Sequence, residues 1–208
     1  MKMKGLLIGL TGQTGAGKTT VSGYLVKSGR SVIDADVVAR HVVAKGSKCI
    51  RELAANFGMD IILPDGTLDR RKMGDIIFAD KEKRILFNKI IFPYIQEGIF
   101  SEVERMRASG VPAIFLDAPT LFESGIHESC DKIISVIAPI EKRLERIVKR
   151  DNLTQQQALN RIKSQYDDDF YTSRSDYVIR NNTDLADLRE QLDSVIDEIE
   201  LAALEGEH

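Results

Sequence analysis

Short apolar runs recur along the 208-residue chain, and stretches with the spacing of amphipathic helices separate them. Such runs are typical of strands that are buried on both faces of a sheet. Because helical patterns alternate with them, they predict an α/β fold in which helices cover a parallel sheet. The five predicted strands are GLLIGL (5–10), SVID (31–34), AIFLD (113–117), KIISVI (132–137) and DYVI (176–179).

Helices are predicted between these strands and after the last one. One follows the first strand, from about Lys18 to Lys27, and a closing helix begins near Asp184, which is a good N-cap residue. Asp69, after the turn PDGT (64–67), is a second candidate cap. Two helical stretches are too long for single crossovers and are predicted insertions. The chain thus divides into core, insertion, core, insertion and core at 1–36, 37–110, 111–139, 140–174 and 175–208.

Charge and cysteine content narrow the classes of protein. The net charge of -3 provides no overall attraction to nucleic acid or to an acidic membrane, so a polyanionic ligand needs a local basic cluster. Cys49 and Cys130 lack CxxC or CxxH spacing, which argues against structural zinc and favours a reducing compartment. The apolar run after the first lysines is too short for the hydrophobic region of a signal peptide. No apolar run in the sequence is long enough to span a bilayer. We expect a cytoplasmic protein with small-molecule partners.

The stretch GLTGQTGAGKTT (9–20) fits the pattern G-x-x-x-x-G-K-[ST], with a predicted strand before it and a helix after it. Glycines at these positions let successive backbone N–H groups point inward, and the helix N-terminus adds a dipole that favours anions. The stretch therefore predicts a phosphate-binding loop. Its predicted ATP-binding residues are Gly12, Gln13, Thr14, Gly15, Ala16, Gly17, Lys18, Thr19 and Thr20.

Two side chains of this loop carry specific chemistry. Lys18 is expected to reach the β- and γ-phosphates of ATP, and the Thr19 hydroxyl is expected to ligate Mg²⁺. The loop does not identify the phosphate acceptor, which is water in a nucleotide hydrolase and a small molecule in a kinase. A GTPase is disfavoured, because NNTD (181–184) lacks the lysine of N-K-x-D and no D-x-x-G segment accompanies it.

Asp34 and Asp36 lie at the carboxyl end of the second predicted strand, in VIDADVVAR. Ligands of open α/β sheets bind at that edge, and a carboxylate there can take the proton of an attacking hydroxyl. One of the two aspartates is instead expected to cap the following helix. We predict the catalytic role for Asp36, and for Asp34 both roles stay open.

At this point the sequence resembles the dephospho-CoA kinase family. The resemblance runs from about Lys4 to Asn182. It rests on the motifs LIGLTGQTGAGKTTVSGYL, VIDADVVARHVV, FGMDIILPDGTLDRRKMGDIIFAD, APTLFESG, RIVKRDNLT, RIKSQ and SDYVIRNN, in that order. It implies a P-loop kinase fold with a five-stranded parallel core, a helical CoA-binding domain at 37–110 and a helical lid at 140–174. It also implies transfer of the ATP γ-phosphate to the ribose 3′-hydroxyl of dephospho-CoA.

The resemblance assigns further site residues. Asp36 matches the family's catalytic aspartate, Arg40 matches a substrate-side arginine, and Asn181 matches a residue near the adenine of ATP. The loop expected to line the acceptor pocket contains Pro119, Leu121, Phe122 and Glu123. One departure is Phe92-Pro93, where many members have His-Pro; we expect Phe92 to pack in the interior.

Arginines at positions 143, 146 and 150 have the i, i+3, i+7 spacing of one helix face. A net-acidic protein that handles ATP and a second phosphorylated ligand needs a local basic cluster of this kind. We predict that Arg146 and Arg150 bind ATP and that Arg143 remains on the surface.

Two other functions stay open from the sequence. A nucleoside monophosphate kinase would use the same loop, and a regulatory ATPase or adaptor would bind nucleotide without an acceptor. The long helical insertion favours a long acceptor. The resemblance implies ATP and dephospho-CoA as the small-molecule partners. We expect no nucleic acid or membrane partner, and we expect the protein to be a monomer or weak oligomer.

Overall fold

The computed structural model describes residues 5–205, and its central element is a five-stranded sheet. The strands lie in the order β2-β3-β1-β4-β5, and β1 pairs in parallel with β3 and β4, as β4 does with β5. This arrangement confirms the predicted parallel core. The bounds are β1 (Leu6–Gly12), β2 (Ser31–Asp34), β3 (Ala113–Asp117), β4 (Lys132–Ile137) and β5 (Tyr177–Arg180).

Helices fill most of the remaining described chain. α1 has the predicted bounds, and Asp184 caps α9, accepting hydrogen bonds from the Ala186 and Asp187 amides at 2.9 and 3.0 Å. Asp69 caps α4 through the Lys72 amide at 2.9 Å, as predicted. The bounds are α1 (Lys18–Lys27), α2 (Ala35–Val42), α3 (Lys48–Phe57), α4 (Arg70–Ala79), α5 (Lys81–Ala108), α6 (Ile140–Asp151), α7 (Gln155–Lys163), α8 (Asp168–Ser173) and α9 (Leu185–Glu205).

The chain forms two compact units. The second unit spans residues 34–104, and the first combines the described residues on either side of it. We predicted 37–110 for the first insertion. The predicted lid, 140–174, belongs to the same compact unit as the sheet. Residues 1–4 and 206–208, at the outer ends of the predicted first and last core segments, lie outside the described residues, as does Lys4, where the family resemblance begins.

The core of the first unit explains the apolar spacing of its helices. Val21 and Leu25 of α1 and Leu188, Leu192, Ile196 and Ile199 of α9 are all buried against the sheet. Their spacing of three or four residues places them on one side of each helix. α1 is therefore anchored along its length, which fixes the position of its N-terminus and of the loop before it.

The second unit has a separate core. Residues from α3, α4 and α5 and from the segments that precede and connect them form it, and the partly buried Phe92 packs against this core, which confirms the predicted packing role. The buried members of this core are Val43, Cys49, Ile50, Leu53, Ile61, Leu68, Met73, Ile90 and Ile91.

Within residues 5–205, no helix is both long enough and apolar enough to traverse a lipid bilayer.

Candidate active site

The donor loop (residues 12–17) joins β1 to α1 and ends at Gly17, the N-cap of α1. Gly17 has a φ of +107°, and a Cβ atom there would collide with the side-chain nitrogen of Asn181, so the position accepts only glycine. No side chain caps α1, and no acidic residue occurs in its first turn. The first backbone N–H groups of α1 are therefore available to an anion.

Lys18, the first residue of α1, forms an ion pair with Asp117. Both side chains are largely buried, with exposed fractions of 15% and 11%, so water screens neither charge completely. Asp117 ends β3, directly opposite Leu10 of β1. Asp117 was not among the predicted site residues, although an acidic residue at the end of the apolar run AIFLD is a recognisable signal. P-loop enzymes hold Mg²⁺ with an aspartate of this kind.

The oxygen atoms near the start of α1 fit a magnesium ion. Thr19 is exposed in the first turn of α1, and Asp117 provides a carboxylate at the neighbouring strand end. Across the part of the chain that the structure describes, no three His, Cys, Asp or Glu residues are grouped to hold a metal ion. Mg²⁺ bound with ATP needs only one or two protein ligands, because phosphates and water supply the others.

Arg146 of α6 and Asn181, which follows β5, support the donor loop from its carbonyl side. Arg146 Nη1 donates to the carbonyls of Gly15 and Ala16 at 3.2 and 3.3 Å, and its Nη2 donates to Asn181 Oδ1 at 3.2 Å. The Asn181 amide donates in turn to the Ala16 carbonyl at 2.7 Å. The structure thus brings both predicted ATP-binding residues to the loop. Their contact with ATP itself stays a prediction.

The prediction that Arg143 lies on the surface is wrong. Arg143 is only 4% exposed, and its Nε donates to the Thr14 carbonyl at 3.0 Å. Burial lowers the pKa of the guanidinium, whereas the nearby Asp168 and Tyr171 raise it. The helical spacing identified a basic face but did not show that the donor loop covers one end of it.

Two further residues that the sequence analysis did not assign bind the start of the donor loop. Gln165 Oε1 accepts a hydrogen bond from the Thr14 amide at 2.6 Å, and Asp168 Oδ1 accepts one from Gln13 Nε2 at 2.7 Å. Gln165 ends the motif RIKSQ, which contributed to the family resemblance, and this was the available signal. The donor loop is thereby held at both Gln13 and Thr14.

Arg150 lies apart from the donor loop in this structure. Its guanidinium makes two hydrogen bonds to the neighbouring Asp151, at 2.7 and 2.8 Å, and it remains exposed. Asp151 also pairs with Arg161 at 2.7 Å. Because its guanidinium makes a bidentate pair with the adjacent carboxylate, Arg150 does not extend toward the loop as Arg143 and Arg146 do. Its predicted role toward ATP is not tested by this arrangement.

The predicted acceptor loop follows β3. Leu121 is fully buried, lying where a Cβ atom on Gly9 would touch it, and Phe122 packs against Phe170 and Tyr171 with ring centroids 5.2 and 5.9 Å apart. Glu123 is more exposed, yet the surrounding protein raises the pKa of its carboxyl by desolvation. Leu121 and Phe122 thus support the loop, while Glu123 is the member that reaches solvent. Pro119 contributes its carbonyl, which accepts a long hydrogen bond from Thr11 at 3.5 Å.

The predicted catalytic aspartate lies in the second unit, on α2. Asp34 is the N-cap of this helix, and its carboxylate accepts from the Asp36 and Val37 amides at 2.8 and 3.2 Å. Asp36 and Arg40 are both exposed. Among residues 5–205, neither side chain has a hydrogen-bond or ion-pair partner. The capping role left open for Asp34 is therefore the one that the structure shows, and the Asp36 carboxylate is left unengaged.

Comparison with known proteins identifies the family. The family model described as dephospho-CoA kinase matches residues 6–187 of this chain. The chain belongs to the dephospho-CoA kinase family. It is 44% identical to the dephospho-CoA kinase of Listeria innocua over 90% of this chain and 94% of that one. It is 43% identical to the dephospho-CoA kinase of Arabidopsis thaliana, over 93% and 83% of the two chains.

A solved structure of the family agrees with the fold. The dephospho-CoA kinase from Campylobacter jejuni superposes with a TM-score of 0.72 at 26% identity, covering 94% of this chain and 98% of that one. The family resemblance drawn from the sequence motifs is confirmed, and so is the P-loop kinase fold. The roles of individual site residues stay predictions.

Proposed function

We propose that this chain transfers the γ-phosphate of ATP to the ribose 3′-hydroxyl of dephospho-CoA, giving coenzyme A and ADP. The observation that carries the proposal is the family match over residues 6–187, which includes the donor loop, Asp117 and the Asp34–Arg40 segment. The geometry of the donor loop supports it, because the first amides of α1 and the Lys18 ammonium suit a triphosphate.

We assign phosphate binding and proton removal to different residues of the chain. The first amides of α1 and the Lys18 ammonium bind the β- and γ-phosphates, so their positive charge meets the charge that develops as the phosphoryl group moves. Lys18 then exchanges its bond with Asp117 for bonds to phosphate. The bond from the acceptor oxygen to Pγ forms while the bond from Pγ to the ADP oxygen breaks. The hydroxyl proton passes to the Asp36 carboxylate, which has no competing partner among residues 5–205.

Mg²⁺ is proposed as the ion that accompanies ATP, with the Thr19 hydroxyl and the Asp117 carboxylate as its protein ligands. When bound, it neutralises charge on the phosphate oxygens. We expect Thr19→Val to raise the Mg²⁺ concentration needed for half-maximal activity, with an unchanged melting temperature because Thr19 is exposed. A Mg²⁺ titration on both proteins measures this effect. An unchanged titration curve would remove Thr19 from the ligand set.

The active form is proposed to be a monomer or weak oligomer, since one chain supplies every assigned residue. The cytoplasm is the proposed location, and the free thiols of Cys49 and Cys130 suit that reducing compartment. Sedimentation velocity across a range of protein concentrations tests the oligomeric state.

The position of transfer is tested with two acceptor analogues that each lack one ribose hydroxyl. The 2′-deoxy form of dephospho-CoA is expected to be phosphorylated, whereas the 3′-deoxy form is expected to bind without turnover. Mass spectrometry of the products provides the readout. Phosphorylation of the 3′-deoxy form would refute the proposed acceptor atom.

A further inference from the structure

The peptide group between Gln13 and Thr14 is held at both ends. Its N–H, on Thr14, donates to Gln165 Oε1 at 2.6 Å, and its carbonyl, on Gln13, accepts from the Ala16 amide at 3.0 Å. Because the N–H and C=O of a trans peptide point in opposite directions, these two bonds fix the orientation of the peptide plane. Gln165 supplies the contact that comes from outside the loop.

The next peptide group of the donor loop is oriented as well. The Thr14 carbonyl accepts from Arg143 Nε at 3.0 Å, so the Gly15 N–H on the same peptide points away from Arg143. Among residues 5–205, the Gly15 and Gly17 amides have no hydrogen-bond partner, whereas the Thr14 amide is engaged. Free backbone amides are the groups with which a loop of this kind binds an anion. The contacts at Thr14 thus determine which amides are offered to a phosphate.

Gln165 is itself held in place, in the connection between α7 and α8. Its amide donates to the Ile162 carbonyl at 3.2 Å. The next residue, Tyr166, stacks on Phe170 with ring centroids 3.7 Å apart, and Phe170 packs against Phe122 of the acceptor loop. A group anchored in this way needs little reorganisation when a substrate binds. The segment that holds the donor loop therefore also packs against the acceptor loop.

We propose that Gln165 is a positioning residue for phosphoryl transfer, which acts through the Thr14 amide rather than on the phosphates. By holding that amide outside the phosphate site, it keeps the donor loop in the conformation in which the Gly15 amide faces the nucleotide. The inference rests on the proposed use of ATP by this site. Because Gln165 shapes the loop, it serves ATP and ADP alike. A merely structural Gln165 would contribute to stability but not to nucleotide affinity or turnover.

The test replaces Gln165 in the full-length protein. Gln165→Met keeps the length of the side chain but has no oxygen that could accept the Thr14 N–H. We expect it to weaken the binding of ATP and of ADP equally, by about 3- to 10-fold, the range for one neutral hydrogen bond. Calorimetry without dephospho-CoA measures both affinities.

Turnover provides a second readout of the same variant. At saturating substrates, kcat should fall by a similar factor, while KM for dephospho-CoA stays constant because the aromatic contacts with the acceptor loop are retained. Gln155→Met makes the same exchange at an exposed position at the start of α7 and is the control, which should change none of these values.

Unchanged nucleotide affinities and kcat in Gln165→Met, with or without a lower melting temperature, would show a merely structural role and overturn the proposal. A loss of ATP affinity with ADP affinity unchanged would also overturn it, since Gln165 would then act on the γ-phosphate itself.

A measurement on the wild-type protein covers the case in which the variant does not fold. Without nucleotide, the Thr14 amide should exchange slowly with solvent, and on adding ADP its NMR resonance should shift less than those of Gly15 and Gly17. A Thr14 amide that exchanges freely, or that shifts as much as the Gly15 amide, would overturn the proposal. These measurements need no acceptor. A wild type that binds nucleotide without phosphorylating dephospho-CoA would therefore refute the proposed function and leave this test intact.

Discussion

The donor loop in the first unit and helix α2 in the second hold their functional groups in opposite ways. In the donor loop, the Thr14 amide and carbonyl and the Gly15 and Ala16 carbonyls all have side-chain partners, and Lys18 is paired with Asp117. On α2, Asp36 and Arg40 are exposed, and among residues 5–205 their side chains have no partners. The only engaged carboxylate there is that of the cap, Asp34.

This difference separates two ways of preparing a site. Groups that are already fixed cost little reorganisation when charge develops beside them, which favours the donor loop as the electrostatic part of the site. Exposed groups without partners acquire their geometry from the substrate. We therefore expect changes in the loop network to alter both nucleotide binding and turnover, and a change of Asp36 on α2 to alter turnover while ATP binding stays nearly constant.

Asp36→Asn is expected to give the largest effect on turnover. Asparagine keeps the shape of the side chain but cannot take the hydroxyl proton, so kcat should fall about 10²- to 10⁴-fold, the range for a positioned base. The loss would be smaller if the aspartate mainly orients the hydroxyl, because phosphoryl transfer has a loose transition state. ATP affinity, measured by calorimetry, should barely change. A variant with normal kcat would exclude Asp36 as the base.

Lys18→Ala is expected to have the next largest effect. It removes a fixed positive charge from the developing phosphate charge, and kcat should fall about 10²- to 10³-fold. It also leaves the largely buried Asp117 without its partner, so the melting temperature should change as well. Steady-state kinetics and thermal unfolding measure the two effects. Near-normal kcat would show that the donor loop is misassigned.

Arg146→Ala is expected to lower kcat/KM for ATP about 10-fold, because it removes hydrogen bonds from a charged group to two loop carbonyls and to Asn181. Arg150→Ala is the matched comparison on the same helix, since Arg150 contacts Asp151 instead of the loop. A smaller effect is expected from it. Equal losses in the two variants would show that Arg150 leaves Asp151 and reaches ATP during turnover. Wild-type kinetics in both would remove these arginines from the ATP site.

The smallest effect is expected at Asp34. Asp34→Ala removes an N-cap and should destabilise the protein by about 1 kcal/mol, with a modest change in KM for the acceptor. Asp34→Asn retains the cap, because asparagine is an equally good capping residue, and should behave like the wild type. Thermal unfolding and acceptor kinetics check both variants. Loss of turnover in Asp34→Asn, with Asp36→Asn active, would reverse the roles of the two aspartates.

The parts of the molecule that local patterns determine were predictable from the sequence. Each strand is a short run rich in apolar residues, and β1, β3 and β4 are buried along most of their length. α1 begins where the glycine pattern ends, and Asp69 and Asp184 cap helices through amides two or three residues away. The identity of the loop follows the same logic, since its glycines and its lysine lie within eight residues of one another.

The contacts that connect the donor loop to the rest of its unit were not predictable in this way. Arg143 binds Thr14 from 129 positions along the chain, Gln165 binds it from 151, and Asp117 pairs with Lys18 across 99. Helical spacing grouped Arg143 with exposed charges, and nothing local shows that a backbone carbonyl lies over it. Such pairings depend on which strand ends adjoin in the finished sheet.

The most direct test of the central claim is ADP release by the purified wild-type protein with Mg²⁺ and ATP, measured in parallel with dephospho-CoA, with a nucleoside monophosphate and with no acceptor. We predict that dephospho-CoA alone stimulates release, with one coenzyme A formed for each ADP. Stimulation by the nucleoside monophosphate instead, or equal release without any acceptor, would contradict the assignment as a dephospho-CoA kinase.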